Sequence, residues 1–406
     1  MLLVTNKNYT EEANELARKI ALTTKERHAK WLVSVKYILD QSNVDSILSR
    51  QSDFCDSVIL SEEERVTDKQ RLLLECESER VQARRQKEEE RVRIHKHVVS
   101  TISAHTEKLL TERFNEENAL RIFGNFPDFE HFLQIAYSPS LSFSSLSSLT
   151  TNNNRLKNSV LELVNDPKFC SRIGKSSRSL TDPKMAIGTL GIDNSRLLFP
   201  ILMAKPLLKW HDPVTKYIAP KVWQHMILTA NVTRLRLKQA GLENDEQGIL
   251  LGILRTIGYF ALVNQFSQAF EDALVEKMQS FRRQNKRNEY YACADVKPTL
   301  SILPRLFLKL EKQITLNIIS SFEWSPNTIH LKAALIEDFE DVPVLKRSPH
   351  GVALAQAQTY SMYDMLERSN VFVEKHKPYF FAHVQMPPGI LTELRACNPG
   401  RVELAT

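Results

Sequence analysis

The chain has 406 residues, 42% hydrophobic and 25% charged, with a formal net charge of +6. That is length enough for one large core or two or three domains, and the charge balance is too mild to point to nucleic acid or a membrane as a partner. Five scattered cysteines (Cys55, Cys76, Cys170, Cys293, Cys397) without a CxxC pair argue against a disulfide framework or a cysteine-based zinc site, and for reduced thiols in a cytoplasm.

The opening MLLVTNKNYTEEANELARK has a short apolar patch followed by acids, which does not read as a signal peptide, and no run approaches 18 apolar residues, so no membrane span is expected. All 11 glycines and all 17 prolines lie at or after Gly124, so long uninterrupted helices are expected before it. Within that part Ser61–Arg93 carries 10 acids and 9 bases, with opposite charges three apart at Glu62–Arg65, Asp68–Arg71, Glu77–Arg80, Glu88–Arg91 and Glu90–Arg93. Each such pair supports a helix by about 0.2–0.5 kcal/mol. The apolar positions (Val66, Leu73, Val81, Val92, Val99, Ile102, Leu109) are too sparse for a heptad seam. The expectation is a long, mostly solvated helix, with a dimerising coiled coil as the lesser reading.

After Gly124 the texture changes. FGNFPDF reads as a turn and EHFLQIAYS as a short helix. PSLSFSSLSSLTTNNN is serine- and asparagine-rich, but Leu141, Phe143, Leu146 and Leu149 favour an ordered helix over a linker. Leu156, Val160, Leu163 and Val164 mark an amphipathic helix ending at Asn165-Asp166-Pro167. In TDPKMAIGTLGID, Thr181 or Asp182 caps, Pro183 starts, and Gly188 and Gly191 punctuate. Helices are expected over Val222–Lys238, Asp245–Phe266, Gln268–Phe281, and in FLKLEKQITLNIISSFEW, TIHLKAALIEDF and GVALAQAQTYSMYDMLERS. With β signals nearly absent, the fold class is all-α. Residues 371–406 read as an extended tail packed on the body.

FPDFEHFLQIAYSPSLSFSSLSSLTTNNNRLKNSVLELVNDPKF followed by SLTDPKMAIGTLGID resembles the first half of an HDOD domain. The second half is similar too: Trp223-x-His225 to a Trp-x-His motif, GILRTIG at 252–258 to G-L-L-H-D-I-G, and IISSFEWSPNTI at 318–329 to L-L-x-x-W-x-L-P-x-x-I. Each motif is weak alone; their order and spacing make the resemblance specific. It covers roughly residues 121–370 and implies an HD-type helical bundle, preceded by an extension of long helices over 1–120 and followed by the tail from 371 to 406.

In the related HD phosphohydrolases an adjacent His-Asp pair helps bind divalent metals that acidify a water and clamp phosphate oxygens. Here the aligned pair is Arg255-Thr256. Arginine is always protonated and offers no lone pair, and threonine offers only a neutral hydroxyl. His225 remains, while the later His-His position falls near Ile336-Glu337. A lone histidine beside Trp223 is more often a packed core residue than a ligand. Arg255 is expected to pair with a carboxylate such as Glu271 or Asp272; the lesser reading is an anion or ligand cavity lined by Trp223, His225 and Arg255. No metal or cofactor is expected.

Other constellations carry less. His95 and His97 are two apart on a helix and read as solvated. Arg282, Arg283, Lys286 and Arg287 beside Tyr290 and Tyr291 read as a polar connection rather than a nucleic-acid surface. Asp338, Glu340 and Asp341 read as an acidic surface turn.

The resemblance implies a cytoplasmic bacterial signal-transduction or regulatory protein, non-catalytic, using its HDOD-like domain as a platform for a protein partner or for a small-molecule or nucleotide ligand. The alternative is a divergent metal-dependent HD-type phosphohydrolase acting on phosphoesters or cyclic nucleotides. A third reading is a structural protein that homodimerises through its N-terminal helix.

Overall fold

The computed structural model describes residues 2–3, 10–38, 75–114, 120–124, 126–138, 140–176 and 179–405. Among them regular structure is entirely helical: sixteen α-helices, several short 3-10 turns and no strand. The protein is all-α.

Helix α1 (Glu11–Val33) starts where the Thr10 hydroxyl accepts the Ala13 N–H, with Glu11 and Glu12 favourably placed in the first turn. Its buried face runs Ala17, Thr24, His28, Trp31, Leu32, a helical stripe. Helix α2 (Glu75–Arg113) contains the charge-rich stretch from Glu75 onward; residues 61–74 of that stretch lie outside the described residues. Arg80 and Arg84–Arg93 are exposed, as expected of a solvated helix. Farther along, Val98, Ile102, Thr106 and Leu110 are buried, so this end of α2 packs into the body rather than standing off as an arm. Val98 and Ile102 share a small core with Phe270 and Ala273.

Next come α3 (Phe129–Ala136), α4 (Phe143–Asn152), α5 (Asn154–Asn165) and α6 (Pro167–Arg172). The serine-rich stretch is ordered because Ser142 and Ser145 cap each other reciprocally, each side chain accepting the other's backbone N–H at 3.2 and 2.9 Å. Asn153 caps α5, and Asp166 with Pro167 restarts the chain as α6. Asp182, not Thr181, caps α7 (Pro183–Leu190). Gly191, at φ 81°, ends that helix and leads into α8 (Ile192–Ala204), whereas Gly188 lies inside α7 and punctuates nothing.

The central pair is α9 (Ala219–Gln239) and α10 (Gln247–Arg283). The two segments expected over Asp245–Phe266 and Gln268–Phe281 are one continuous helix. By composition and length α10 is apolar enough to cross a membrane, but it is the buried centre of this bundle. α9 and α10 approach closely because Gly248 and Gly252 lack side chains; a Cβ at Gly252 would fall on the Ala230 backbone.

The remaining helices are α11 (Arg287–Ala292), α12 (Leu303–Ser320), α13 (Ile329–Phe339), α14 (Pro349–Arg368), α15 (Lys377–His383) and α16 (Pro388–Ala396). The last two correct the expectation of an extended tail: two helices form, each opened by a proline in its first turn. α1 packs against α12, α14 and α15. Trp31, Leu32 and Val33 share the main core with α9, α10 and α12, while Phe380, Phe381 and Leu394 join Val352, Tyr360 and Tyr363 in a second core. The three stretches of differing composition are interleaved in space.

Candidate functional site

Arg255 lies at the middle of the bundle with 3% of its side chain exposed. Its carboxylate partners are neither Glu271 nor Asp272. Nη1 donates to Glu311 Oε1 on α12, and Nε donates to Asp338 Oδ2 on α13 at 2.5 Å. Asp272 instead pairs with Arg113 of α2. The guanidinium also stacks on Phe339, 4.1 Å from the ring centroid.

The two carboxylates are themselves embedded in a network. Asp338 accepts from Arg347 Nη1 at 2.7 Å and from Gln358 Nε2 at 2.6 Å. Glu311 accepts from the Tyr259 hydroxyl at 3.0 Å, and Lys25 of α1 stands 3.7 Å from it. Asp338 is therefore not part of a surface turn; Asp341 is exposed, but Asp338 faces inward. Sequence reasoning missed both partners, although the signal was there. Glu311 follows Phe307 by four on the apolar stripe Leu303, Phe307, Leu310, Ile314, Ile318, and Asp338 continues the stripe Leu331, Ala334, Leu335. A carboxylate on such a stripe announces a buried counter-charge.

The electrostatics follow from this packing. Burial alone would depress the Arg255 pKa, but Glu311 and Asp338 outweigh it and hold the guanidinium more firmly protonated than usual. Burial would raise both carboxyls, yet Arg255 and Lys25 hold Glu311 below its ordinary range, and Arg255 and Arg347 hold Asp338 well below its own.

His225 of α9 sits beside this network. Its Nδ1 shares a hydrogen bond with Ser361 Oγ at 2.9 Å, and its ring meets Tyr259 edge-on with centroids 5.6 Å apart. Burial, then the nearby Arg255 and Lys25 charges, push its pKa down to about 3. His28 of α1 covers the other side, centroids 4.6 Å apart; burial and His225 push it well below its ordinary value too. Thr256 hydrogen-bonds only within its own helix, donating to the Gly252 and Ile253 carbonyls. Trp223 is not part of this assembly. Two positions from His225 on a helix means about 200° of rotation, and Trp223 packs on Trp210 and Phe260 instead. Of the three residues proposed to line one cavity, the structure thus brings together only His225 and Arg255.

This donor set does not suit a divalent cation. A guanidinium occupies the centre, both carboxylates are spent on it, Thr256 is turned back on its helix, and no group of three or more metal-ligating side chains occurs among the described residues. What the arrangement offers is fixed, mutually neutralised charge beneath a cleft. Elsewhere, His95 is half-buried and His97 exposed on α2, and Arg282–Tyr291 forms the end of α10, a turn and α11, with Tyr291 exposed.

A family model described as HDOD domain matches residues 126–292. No curated protein and no solved structure matches the chain. The match ends before Glu311 and Asp338, so the partners that hold Arg255 come from helices beyond it. Residues 126–292, about two-fifths of the chain, are thus similar to an HDOD domain.

Proposed function

We propose that this is a non-catalytic, cytoplasmic signal-transduction or regulatory protein of bacterial type, whose HDOD domain serves as a binding platform. The observation that carries the reading is the buried Arg255, clasped by Glu311 and Asp338, at the position where the family resemblance sets a metal-binding His-Asp pair. A fixed cation there repels the divalent ion on which HD hydrolysis depends, and without it the site has no evident group to generate hydroxide near neutral pH. The fully engaged Thr256 supports the same reading.

The test is metal analysis of the purified chain combined with assays on a phosphodiester and on cyclic nucleotides with manganese, iron or nickel. The reading expects no stoichiometric metal and no metal-dependent turnover. Bound metal together with metal-dependent phosphodiesterase turnover would establish the alternative, an HD-type phosphohydrolase.

A further inference from the structure

The Arg255 network is the floor of a cleft of about 290 Å3 between α1 and the helices α12 to α15. The floor is electrically balanced: Arg255 and Arg347 face Glu311 and Asp338, each with less than a tenth of its side chain exposed. The rim is not balanced. Arg18, Lys25 and Lys312 line it against one further carboxylate, Asp341; Arg18 meets Asp341 at 3.3 Å and Lys25 leans on Glu311 at 3.7 Å, which leaves the rim a surplus of two positive charges (three minus one). His383 also lines the cleft and stays uncharged, its pKa lowered by burial. One wall is apolar, built from Leu308, Phe339, Met362 and Phe380, with Leu22 of α1 half-exposed at the mouth.

We propose that this cleft binds a small phosphomonoester, its phosphoryl group held by Lys25, Lys312 and Arg18 and its less polar body lying along the Leu22–Phe339 wall. The inference rests on reading the protein as a binding platform and names the ligand chemistry, at a cleft to which residues 126–292 contribute Arg255 and the neighbouring helices the rest. A phosphomonoester near neutral pH carries up to two negative charges, matching the rim surplus. A single carboxylate leaves one cation uncompensated, and a divalent cation is repelled. The volume fits one nucleotide-sized molecule and not a strand. Because Arg18 and Lys25 both belong to α1, the site exists only while α1 is docked, and occupancy therefore favours the docked helix.

Calorimetric titration of the full chain in EDTA with AMP, adenosine and inorganic phosphate tests this. AMP binds, phosphate binds more weakly, adenosine does not bind, and affinity falls as salt rises. Lys312→Glu and Arg18→Glu, both at the solvent-facing rim, each weaken AMP binding by about fivefold or more with an unchanged thermal melt. Adenosine binding as tightly as AMP, charge-reversed variants that bind AMP like the parent chain, or no binding of either phosphate compound would overturn the proposal. Failure of the platform reading is separately visible: it appears as metal-dependent turnover of phosphodiesters, which the titration in EDTA neither requires nor reports.

Discussion

Two arginines on neighbouring helices solve the same problem in different ways. Arg236 of α9 is completely buried, and the partners of its guanidinium include three neutral oxygens: Gln356 Oε1 at 2.8 Å, Gln239 Oε1 at 2.5 Å and the Leu2 carbonyl at 3.0 Å. Burial draws its pKa down to about 10, with Glu393 opposing. Arg255 is as deeply buried but meets two ionised carboxylates, and its pKa moves the other way. Hydrogen bonds alone satisfy the geometry of a guanidinium; only anions compensate its charge. Arg236 is thus a clasp, tying the chain's start to α9 and α14. Arg255 belongs to a concentrated set of opposite charges that could not persist in the interior unless each member were present.

The sharpest way to break this contrast is Arg255→Met. It removes the cation shared by Glu311 and Asp338, leaving them to Lys25 and Tyr259 and to Arg347 and Gln358, and is expected to cost about 3–5 kcal/mol in chemical denaturation, with part recovered in the triple variant that adds Glu311→Gln and Asp338→Asn. Equal stability of the single and triple variants would show that the carboxylates are not compensated as described. Arg236→Met leaves neutral acceptors short of one donor and is expected to cost less, about 1–3 kcal/mol, with no rescue by carboxylate removal.

The acid limb of stability separates the two sites further. Glu311 and Asp338 titrate lower in the folded chain than in the unfolded one, so their contribution is complete above the unfolded carboxylate range near pH 4 and is lost as pH falls below it. His225 is likewise depressed, from 6.5 to about 3, so its contribution is complete above pH 6.5 and erodes between the two values. Denaturation midpoints measured from pH 7.5 to 3 should therefore begin to fall below about pH 6.5. His225→Asn should flatten the upper part of that decline, Arg255→Met the part near pH 4, and Arg236→Met neither. The smallest effect belongs to Thr256→Val, about 1 kcal/mol or less, because that hydroxyl reaches only carbonyls of its own helix. A larger loss would mean that Thr256 does more than fill space.

Much of the architecture is legible in the sequence because it is written locally. The Ser142–Ser145 capping box, the Asp166-Pro167 restart and the apolar stripe of α5 lie within a few residues of the structure they dictate. The polar pair Arg255-Thr256 inside an apolar run is equally plain. The apolar stripes mark Glu311 and Asp338 as buried, but not as partners of Arg255, and nearness in sequence misleads: Glu271 is 16 residues along the same helix, about 24 Å away at 1.5 Å per residue. Helix packing, which sequence periodicity does not specify, brings in α12 and α13 instead. The helical fate of residues 377–396 was hidden by proline, which reads as a breaker but here opens each helix.

The separation of Arg255 from its counter-ions has a consequence for synthesis. Glu311 and Asp338 follow it by 56 and 83 residues. At ribosomal speeds of about 5–20 residues per second, the second carboxylate emerges roughly 4–17 s after the arginine. During that interval the nascent chain holds a cation whose interior counter-ions have not yet been made, so the charge network at the centre of the bundle closes only after translation has delivered its downstream anions.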